Sequence, residues 1–453
     1  MSLGLLLQLV SVLVLRVGLG RGLLRRTGPY FVIAAVSYHG LTELLQQVTG
    51  EPGNLRYLVP SDVVDDWTVV VGVSLVAFSV AYVVVTRRGK GPAAVGEAEF
   101  MVARRDLLRV FDWRVLLCLS VPLIVVVAAG EYRPGAQGAG AVAETSAVVG
   151  LTGDFLVLMV VLTTISFIGQ GGRYRFAPAL LLQMIVLALV GQRSFVVFAA
   201  ITTVFGLSLL GFRPRRPQVI SAILLVLLLA LSINTARGLV GRDASVRSTS
   251  LAQRIQFIGA GTLALIKGDQ LPYAATAQQP LADRLDGNSF PAAVLGALQE
   301  GGKPVGLATT KNNALLAVPS FVNPTKLLTD VTARSEKRYL SKAYGIPTPD
   351  DFLPTQLGVA VSYFGPYGLP FVAGLLGTGF GVVDRRFLGR ITPLGLLVPL
   401  GALTCALGYE HSMEIYPLTA RAVGVLVVIT VIVHRLRRPP TTAPVELPSL
   451  GRG

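Results

Sequence analysis

The sequence predicts an all-α polytopic membrane protein, with about eleven transmembrane helices and one large extracytoplasmic loop of short helices. Three observations predict it. Hydrophobic residues make up 52% of the 453 and charged residues only 14%, against roughly 25% charged in an ordinary soluble domain. Mean hydropathy is +0.63. Apolar runs of span length recur along the chain, and a polar, arginine-dotted segment at residues 236–353 interrupts them.

A span needs about 20 mostly apolar residues. Candidates fall near 2–20, 28–48, 67–86, 114–130, 148–168, 176–191, 194–212, 218–235, 355–383, 392–409 and 417–434. The first run, Leu3 to Leu15, has no basic region ahead of it and is followed by Arg21, Arg25 and Arg26 rather than by a small-residue cleavage site, so it reads as a retained span. Every second loop is then basic, from Arg87, Arg88 and Lys90 through Arg173 and Arg175, Arg213, Arg215 and Arg216, and Arg385, Arg386 and Arg390 to Arg435, Arg437 and Arg438. The intervening loops at 49–66, 131–147, 191–193 and 410–416 are short and, as a set, poor in Lys and Arg. The positive-inside rule puts the N-terminus and residues 236–353 outside and the C-terminus inside. The chain divides into eight spans (1–235), the outer loop (236–353), three spans (354–438) and a Pro/Thr-rich tail (439–453) that reads as disordered.

The remaining composition excludes several classes. A net charge of +15 would suggest nucleic acid in a soluble protein, but here the basic residues lie in loops that set orientation, so no nucleic-acid partner is expected. Cys118 and Cys405 both fall inside apolar runs, so neither a disulfide framework nor a cysteine-ligated metal is expected. Residues 87–113 carry mixed charge and read as a solvated cytoplasmic connector, and Gly374 to Gly381 reads as a place for close helix packing or a kink. No internal repeat is visible. Arginine outnumbers lysine and Ala, Gly and Val abound, a bias that points to a GC-rich bacterial genome.

The outer loop has helical patterning of its own. Leu251, Ile255, Ile258, Thr262 and Leu265 recur at helical spacing, as on a helix lying at the membrane surface. Ser289-Phe290-Pro291 opens a second helix that Gly301-Gly302 closes, and Asp330 can cap a third that stops at Gly345. The loop therefore reads as a folded lid.

Ionisable groups near the outer ends of spans are the candidate site. Arg193 sits in the tight turn Gly191-Gln192-Arg193-Ser194, Arg237 follows a later span with Arg242 and Arg247 close behind, and Arg421 lies about one turn inside the last span. Arginine's planar fork suits two phosphate oxygens, so these residues form a candidate diphosphate clamp; snorkelling to lipid headgroups is the alternative. Among three histidines, only His411 is expected to meet an outside substrate, and with Glu410 and Glu414 beside it the imidazole is a candidate general base. A solvated turn is the plainer reading. No zinc-ligand spacing and no serine-centred glycine elbow occurs.

With its large outer loop, Arg193 in a tight outer turn, Arg237-Gly238 after a later span and a re-entrant segment from Gly358 to Gly368, the chain resembles the Wzy-type O-antigen and oligosaccharide repeat-unit polymerases over about residues 150–420. The resemblance implies a metal-independent inverting glycosyltransferase, without cofactor, that joins polyprenyl-diphosphate-linked oligosaccharides at the outer face of the cytoplasmic membrane. It gives Arg193 and Arg237 the lipid diphosphate and makes His411 a loose match to the outer histidine of O-antigen ligases. Gln356 and Gly358 stand ahead of Tyr363 where the pattern leads one to look for an acidic residue, so the base stays open among His411, Glu410, Asp243 and Asp286.

Chemistry agrees with that implication. Lipid diphosphate is a good leaving group, so the protein must neutralise charge growing on it and orient an acceptor hydroxyl. Tyr339, Tyr344, Tyr363 and Tyr367 offer flat faces for sugar rings, although tyrosine near a bilayer is also an anchor. Membrane lipids are the remaining expected partners, with a chain-length regulator left open. Three rivals stand: an O-antigen-ligase-like enzyme using the same arginines, a polyprenyl-monophosphate-sugar glycosyltransferase with Asp62, Asp65 and Asp66 in an early loop, and a transporter of lipid-linked sugars, which would show broken helices or midplane charges in matched halves.

Overall fold

The computed structural model describes residues 2–49, 59–87, 97–128, 152–190, 193–212, 286–306, 336–346 and 354–437, with single positions at 256, 259, 260, 263, 267, 314, 315, 317 and 318. Every regular element among them is helical. Among the described residues, three helices are long and apolar enough to cross a membrane: α4 (Ser61–Arg87), the helix at Gln356–Phe387 and the stretch Ile415–Val433. Shorter apolar helices of 10–17 residues, among them Leu3–Leu19, Phe155–Gly169, Ser194–Leu209 and Pro393–Leu407, lie where further spans are expected. The span expected near 218–235 lies outside the described residues.

Helix α1 (Leu3–Leu19) starts where the Ser2 hydroxyl accepts the Leu5 N–H at 3.1 Å. It exposes Leu3, Leu6, Leu9, Leu13 and Val17, each 45–69% accessible. A continuous apolar stripe of that kind belongs against lipid rather than water. This is the surface of a helical membrane protein. A 3-10 turn leads into α2 (Gly28–Val36), which passes through a π-turn (Ser37–Leu41) into α3 (Thr42–Thr49) as one helical path.

Glycines let three helices run parallel in close contact. Gly4 of α1 meets Thr68 of α4, Gly72 of α4 meets Leu7, and Gly18 meets Val83. On the other side, Gly377 of the long helix at Gln356–Phe387 lies against Phe78, where a Cβ would stand 2.3 Å from the carbonyl oxygen, and Gly381 lies against Val85. Gly374 and Gly379, in the same glycine-rich run, face open space, so only part of the run serves close packing. The core here is aromatic: Phe31 stacks on Phe78 at 4.6 Å, and Phe78 stacks on Tyr82 at 6.2 Å.

A second core surrounds α7 (Thr152–Gly169), whose residues Phe155 to Leu162 are all buried. A helix apolar all round belongs at a centre. Around it stand α6 (Trp113–Ala128), α8 (Ala177–Val190) and α9 (Arg193–Leu209), with Leu396, Leu397, Leu400, Leu403, Ala422 and Leu426 from the last two helices. The segment expected to be a solvated connector is instead α5 (Glu97–Val110), with Leu107, Leu108, Val110 and Phe111 buried and Arg104 seated 4.4 Å over the Phe212 ring. Leu107, Leu108, Val110 and Phe111 face the core, and Arg104 joins that side by bonding Leu210 O at 3.3 Å.

Five helices complete the described chain: α10 (Ser289–Gln299), α11 (Glu336–Ala343), α12 (Gln356–Phe387), α13 (Pro393–Leu407) and α14 (Ile415–Arg437). The helix expected from Ser289 is present and ends before Gly301, whose φ is +98°. The helix expected to end at Gly345 is present as α11, and Asp330, its expected cap, lies outside the described residues. Of the amphipathic helix expected over 251–265, the described Gln256, Gly259, Ala260 and Leu263 are helical and exposed.

Helix α12 is two helices joined at a break, since Gly365 has φ 71° and ψ 175°. Its first part, Gln356 to Tyr363, is buried at every position. Pro366 has no N–H, which leaves the Ser362 carbonyl without its helical donor.

At the end of the helices that carries Arg87 and Arg385, Asp384 of α12 is 3% exposed and ties three helices together. It accepts the Thr27 N–H at 2.9 Å, the Thr27 hydroxyl at 2.7 Å and the Tyr82 hydroxyl. A carboxylate at the first turn of α2 also meets the positive end of that helix.

Candidate functional site

The opposite end, where α4 and α12 begin, holds a polar hub built on the irregular turn in the second span. In that π-turn the Thr42 N–H bonds to the His39 carbonyl, so the Tyr38 carbonyl loses the partner an α-helix would give it. The lid segment ahead of α10 takes both carbonyls. Gly287 N–H donates to Tyr38 O at 3.1 Å, and Asn288 Nδ2 donates to His39 O at 2.9 Å.

His39 is 0% exposed and bonded through both ring nitrogens. Nδ1 lies 2.8 Å from Asn288 Oδ1 and Nε2 lies 2.8 Å from the Tyr409 hydroxyl. Because Asn288 donates with Nδ2, its Oδ1 must accept, which fixes the His39 proton on Nδ1 and leaves Nε2 to accept from Tyr409. Tyr409 in turn faces the start of α12: its phenol oxygen meets the Thr355 hydroxyl and the Leu357 backbone, and its carbonyl accepts the Gln356 N–H at 3.0 Å. Thr355 caps α12 through Gly358 N–H at 3.1 Å with φ at 50°. A β-branched residue at positive φ is strained, and it is held here by its partners on both sides. Gln356 spans to Cys405 O at 2.8 Å and accepts the Tyr416 hydroxyl.

Next to this buried chain stands a half-buried pair. The Tyr38 hydroxyl donates to Glu410 Oε2 at 2.7 Å, and Glu410 Oε1 lies 3.8 Å from His411 Nε2. The His411 side chain is 40% exposed and that of Glu410 21%. The His411 ring also meets Phe198 of α9 edge-on, with centroids 6.4 Å apart. At 3.8 Å the contact is an ion-pair separation and too long for a hydrogen bond.

A second docking point lies at the break in α12. The Ser362 carbonyl released by Pro366 accepts Val305 N–H at 2.9 Å and the Tyr344 hydroxyl at 2.8 Å. Glu414 Oε1 accepts the first N–H of α11, from Glu336, at 2.8 Å. The π-turn and the break in α12 thus each offer backbone carbonyls to residues of 286–346.

No family model, curated protein or solved structure matches this chain.

The structure brings together some of the residues singled out in the sequence. Glu410 and His411 are paired. Asp286 is 6% exposed and caps α10, accepting the Asn288 and Ser289 N–H groups at 3.1 and 3.0 Å and the Ser289 hydroxyl; a carboxylate so engaged serves the helix start. Arg193 is the first residue of α9, beginning three residues after α8 ends, as the tight turn requires. Arg421 is 6% exposed within α14. Tyr363 is 4% exposed, Tyr339 and Tyr344 pack against the same core, and Tyr367 stands apart at 97% exposure. Arg237, Arg242, Arg247 and Asp243 lie outside the described residues. The described residues hold no cluster suited to a metal.

Sequence reasoning missed His39, Asn288, Thr355 and Tyr409. The available signal was a histidine buried in an apolar run, which needs partners that only the fold supplies. One crevice, between α5, α6, α7 and α14, is lined by apolar residues and Thr430, whose hydroxyl is bonded to Leu426 O at 2.6 Å, so it carries no chemistry.

Proposed function

We propose that the chain is a multi-pass glycosyltransferase of the bacterial cytoplasmic membrane, with about eleven spans and residues 236–353 outside, that joins polyprenyl-diphosphate-linked oligosaccharide repeat units at the outer face. The observation that carries the reading is the exposed His411 imidazole beside a carboxylate held by Tyr38, at the end of the molecule where α9 begins with Arg193 and the lid segments dock.

In the proposed reaction an acceptor hydroxyl attacks the anomeric carbon of the donor sugar. The His411 imidazole takes the hydroxyl proton, and the Glu410 carboxylate beside it stabilises the imidazolium. The bond from the anomeric carbon to the diphosphate oxygen breaks with inversion, and Arg193 and Arg237 neutralise the leaving diphosphate. Arg242 and Arg247 extend the clamp and Tyr339 is offered to the sugar, whereas Arg421 and Tyr363, 6% and 4% exposed, lie below the accessible surface. The test is polymer length in cells carrying Arg193→Ala or Arg237→Ala at normal membrane levels. Full-length polymer from both would remove the diphosphate clamp.

One observation favours a second reading. The break of α12 at Gly365 within an apolar helix is a feature of transporters. A transporter of the same lipid-linked sugars would move the substrate without releasing polyprenyl diphosphate, which separates the two readings by product alone.

A further inference from the structure

Three polar side chains around the π-turn of the second span take no part in the hub. Gln8 of α1 and Trp67 of α4 are 0% exposed, and Glu43 of α3 is 5% exposed. Gln8 Nε2, Gln8 Oε1, Trp67 Nε1 and Glu43 Oε2 have no hydrogen-bond partner. The other Glu43 oxygen accepts Gln47 Nε2 at 3.2 Å.

Two contacts bring these groups to one place. The Gln8 amide lies directly over Gly40, where a Cβ would stand 2.6 Å from Oε1, so glycine is what makes room for it. The Trp67 ring meets His39 at a steep angle, with centroids 5.8 Å apart. Glu43 follows His39 by four residues and Gly40 by three, the spacing of neighbours on one helix face.

A helix interior does not keep four polar atoms unpaired, because each costs what a lost hydrogen bond costs. Gln8 Oε1 and Glu43 Oε2 accept, whereas Gln8 Nε2 and Trp67 Nε1 only donate. A bare cation serves the first pair alone, and an anion serves the second pair against the Glu43 carboxylate. A small molecule that both donates and accepts serves all four.

We propose that Gln8, Glu43 and Trp67 form an internal binding site for small hydroxylic molecules, water first, between α1, the second span and α4. The site supplies the irregular turn with polar partners beyond those that Gly287 and Asn288 provide. It stands independently of the glycosyltransferase reading.

The chain has two tryptophans, so full-length protein carrying Trp113→Phe reports on Trp67 with the site itself unchanged. The expected result is a long-wavelength Trp67 emission band, that of an indole N–H bonded to a protic partner, despite complete burial. Gln8→Leu in that background is expected to shift the band to shorter wavelength and to lower the apparent melting temperature. A short-wavelength band in the Trp113→Phe protein, as for indole in hydrocarbon, would overturn the proposal and decides the matter even where Gln8→Leu fails to fold. A long-wavelength band that folded Gln8→Leu protein leaves in place would overturn it too, because the partner of Trp67 would then lie elsewhere.

Discussion

The Tyr38 hydroxyl donates to Glu410 at 2.7 Å, while His39, the next residue, receives the Tyr409 hydroxyl at 2.8 Å. Two consecutive residues of the second span therefore hold two consecutive residues of the turn between α13 and α14. Glu410 is the link from this buried frame to the exposed His411. Tyr38→Phe removes a hydrogen bond to a charged group, a loss of about 1.5 to 3 kcal/mol. On the proposed mechanism it lowers the transfer rate roughly tenfold or more, whereas His411→Gln lowers it by about 10² or more. Single-turnover rates on reconstituted protein check the order, and equal rates for all three proteins would remove His411 from the chemistry.

Asn288 bonds His39 through both its amide atoms. Asn288→Ala leaves the His39 Nδ1–H buried without its acceptor, a cost of about 1 to 3 kcal/mol, while the His39 carbonyl keeps the Thr42 N–H. The lid start then loosens from the second span, so limited proteolysis within residues 286–306 is expected to be faster than in the parent protein. Unchanged cleavage would show that α10 packing alone holds the lid.

Pro366 frees the Ser362 carbonyl for Val305 and Tyr344. Tyr344→Phe removes one of those bonds at about 1 kcal/mol, and Gly365→Ala forces an alanine to φ 71° and ψ 175°, a region essentially reserved for glycine, at about 1 to 3 kcal/mol. Thermal unfolding in lipid is expected to rank Gly365→Ala at or below Tyr344→Phe, with both below the parent.

Asp384→Ala leaves the Thr27 N–H, the Thr27 hydroxyl and the Tyr82 hydroxyl without their common acceptor. The expected cost is about 3 kcal/mol or more, seen as loss of folded protein from the membrane. Asp384→Asn keeps one acceptor oxygen and is expected to be milder. Equal membrane levels for Asp384→Ala and the parent would contradict this role.

The helices were legible because span length and apolar composition are local properties, and the break in α12 is written locally as Gly365-Pro366. Close packing at Gly377 was also signalled by the glycine run, although which glycines touch α4 depends on helix rotation. Helix α5 was misread because its charges were counted while Leu107, Leu108, Val110 and Phe111 were not placed on a common side. The hub was illegible for a different reason. His39 meets Asn288 and Tyr409 across 249 and 370 residues, and a single sequence carries no signal for pairing at that range. Glu410 and His411 were visible because they are adjacent, whereas Tyr38, which holds them, was not. Asp384 passed as the edge of a basic loop beside Arg385 and Arg386, so its burial was hidden by its neighbours.

The most direct measurement is product analysis after short polyprenyl-diphosphate oligosaccharide is added to purified protein in lipid vesicles, with neither metal nor nucleotide sugar present. The account predicts a ladder of lengthening glycans with released polyprenyl diphosphate, diminished by His411→Gln. Substrate that appears on the far side of the bilayer with its length and its diphosphate linkage intact would contradict it and establish transport instead.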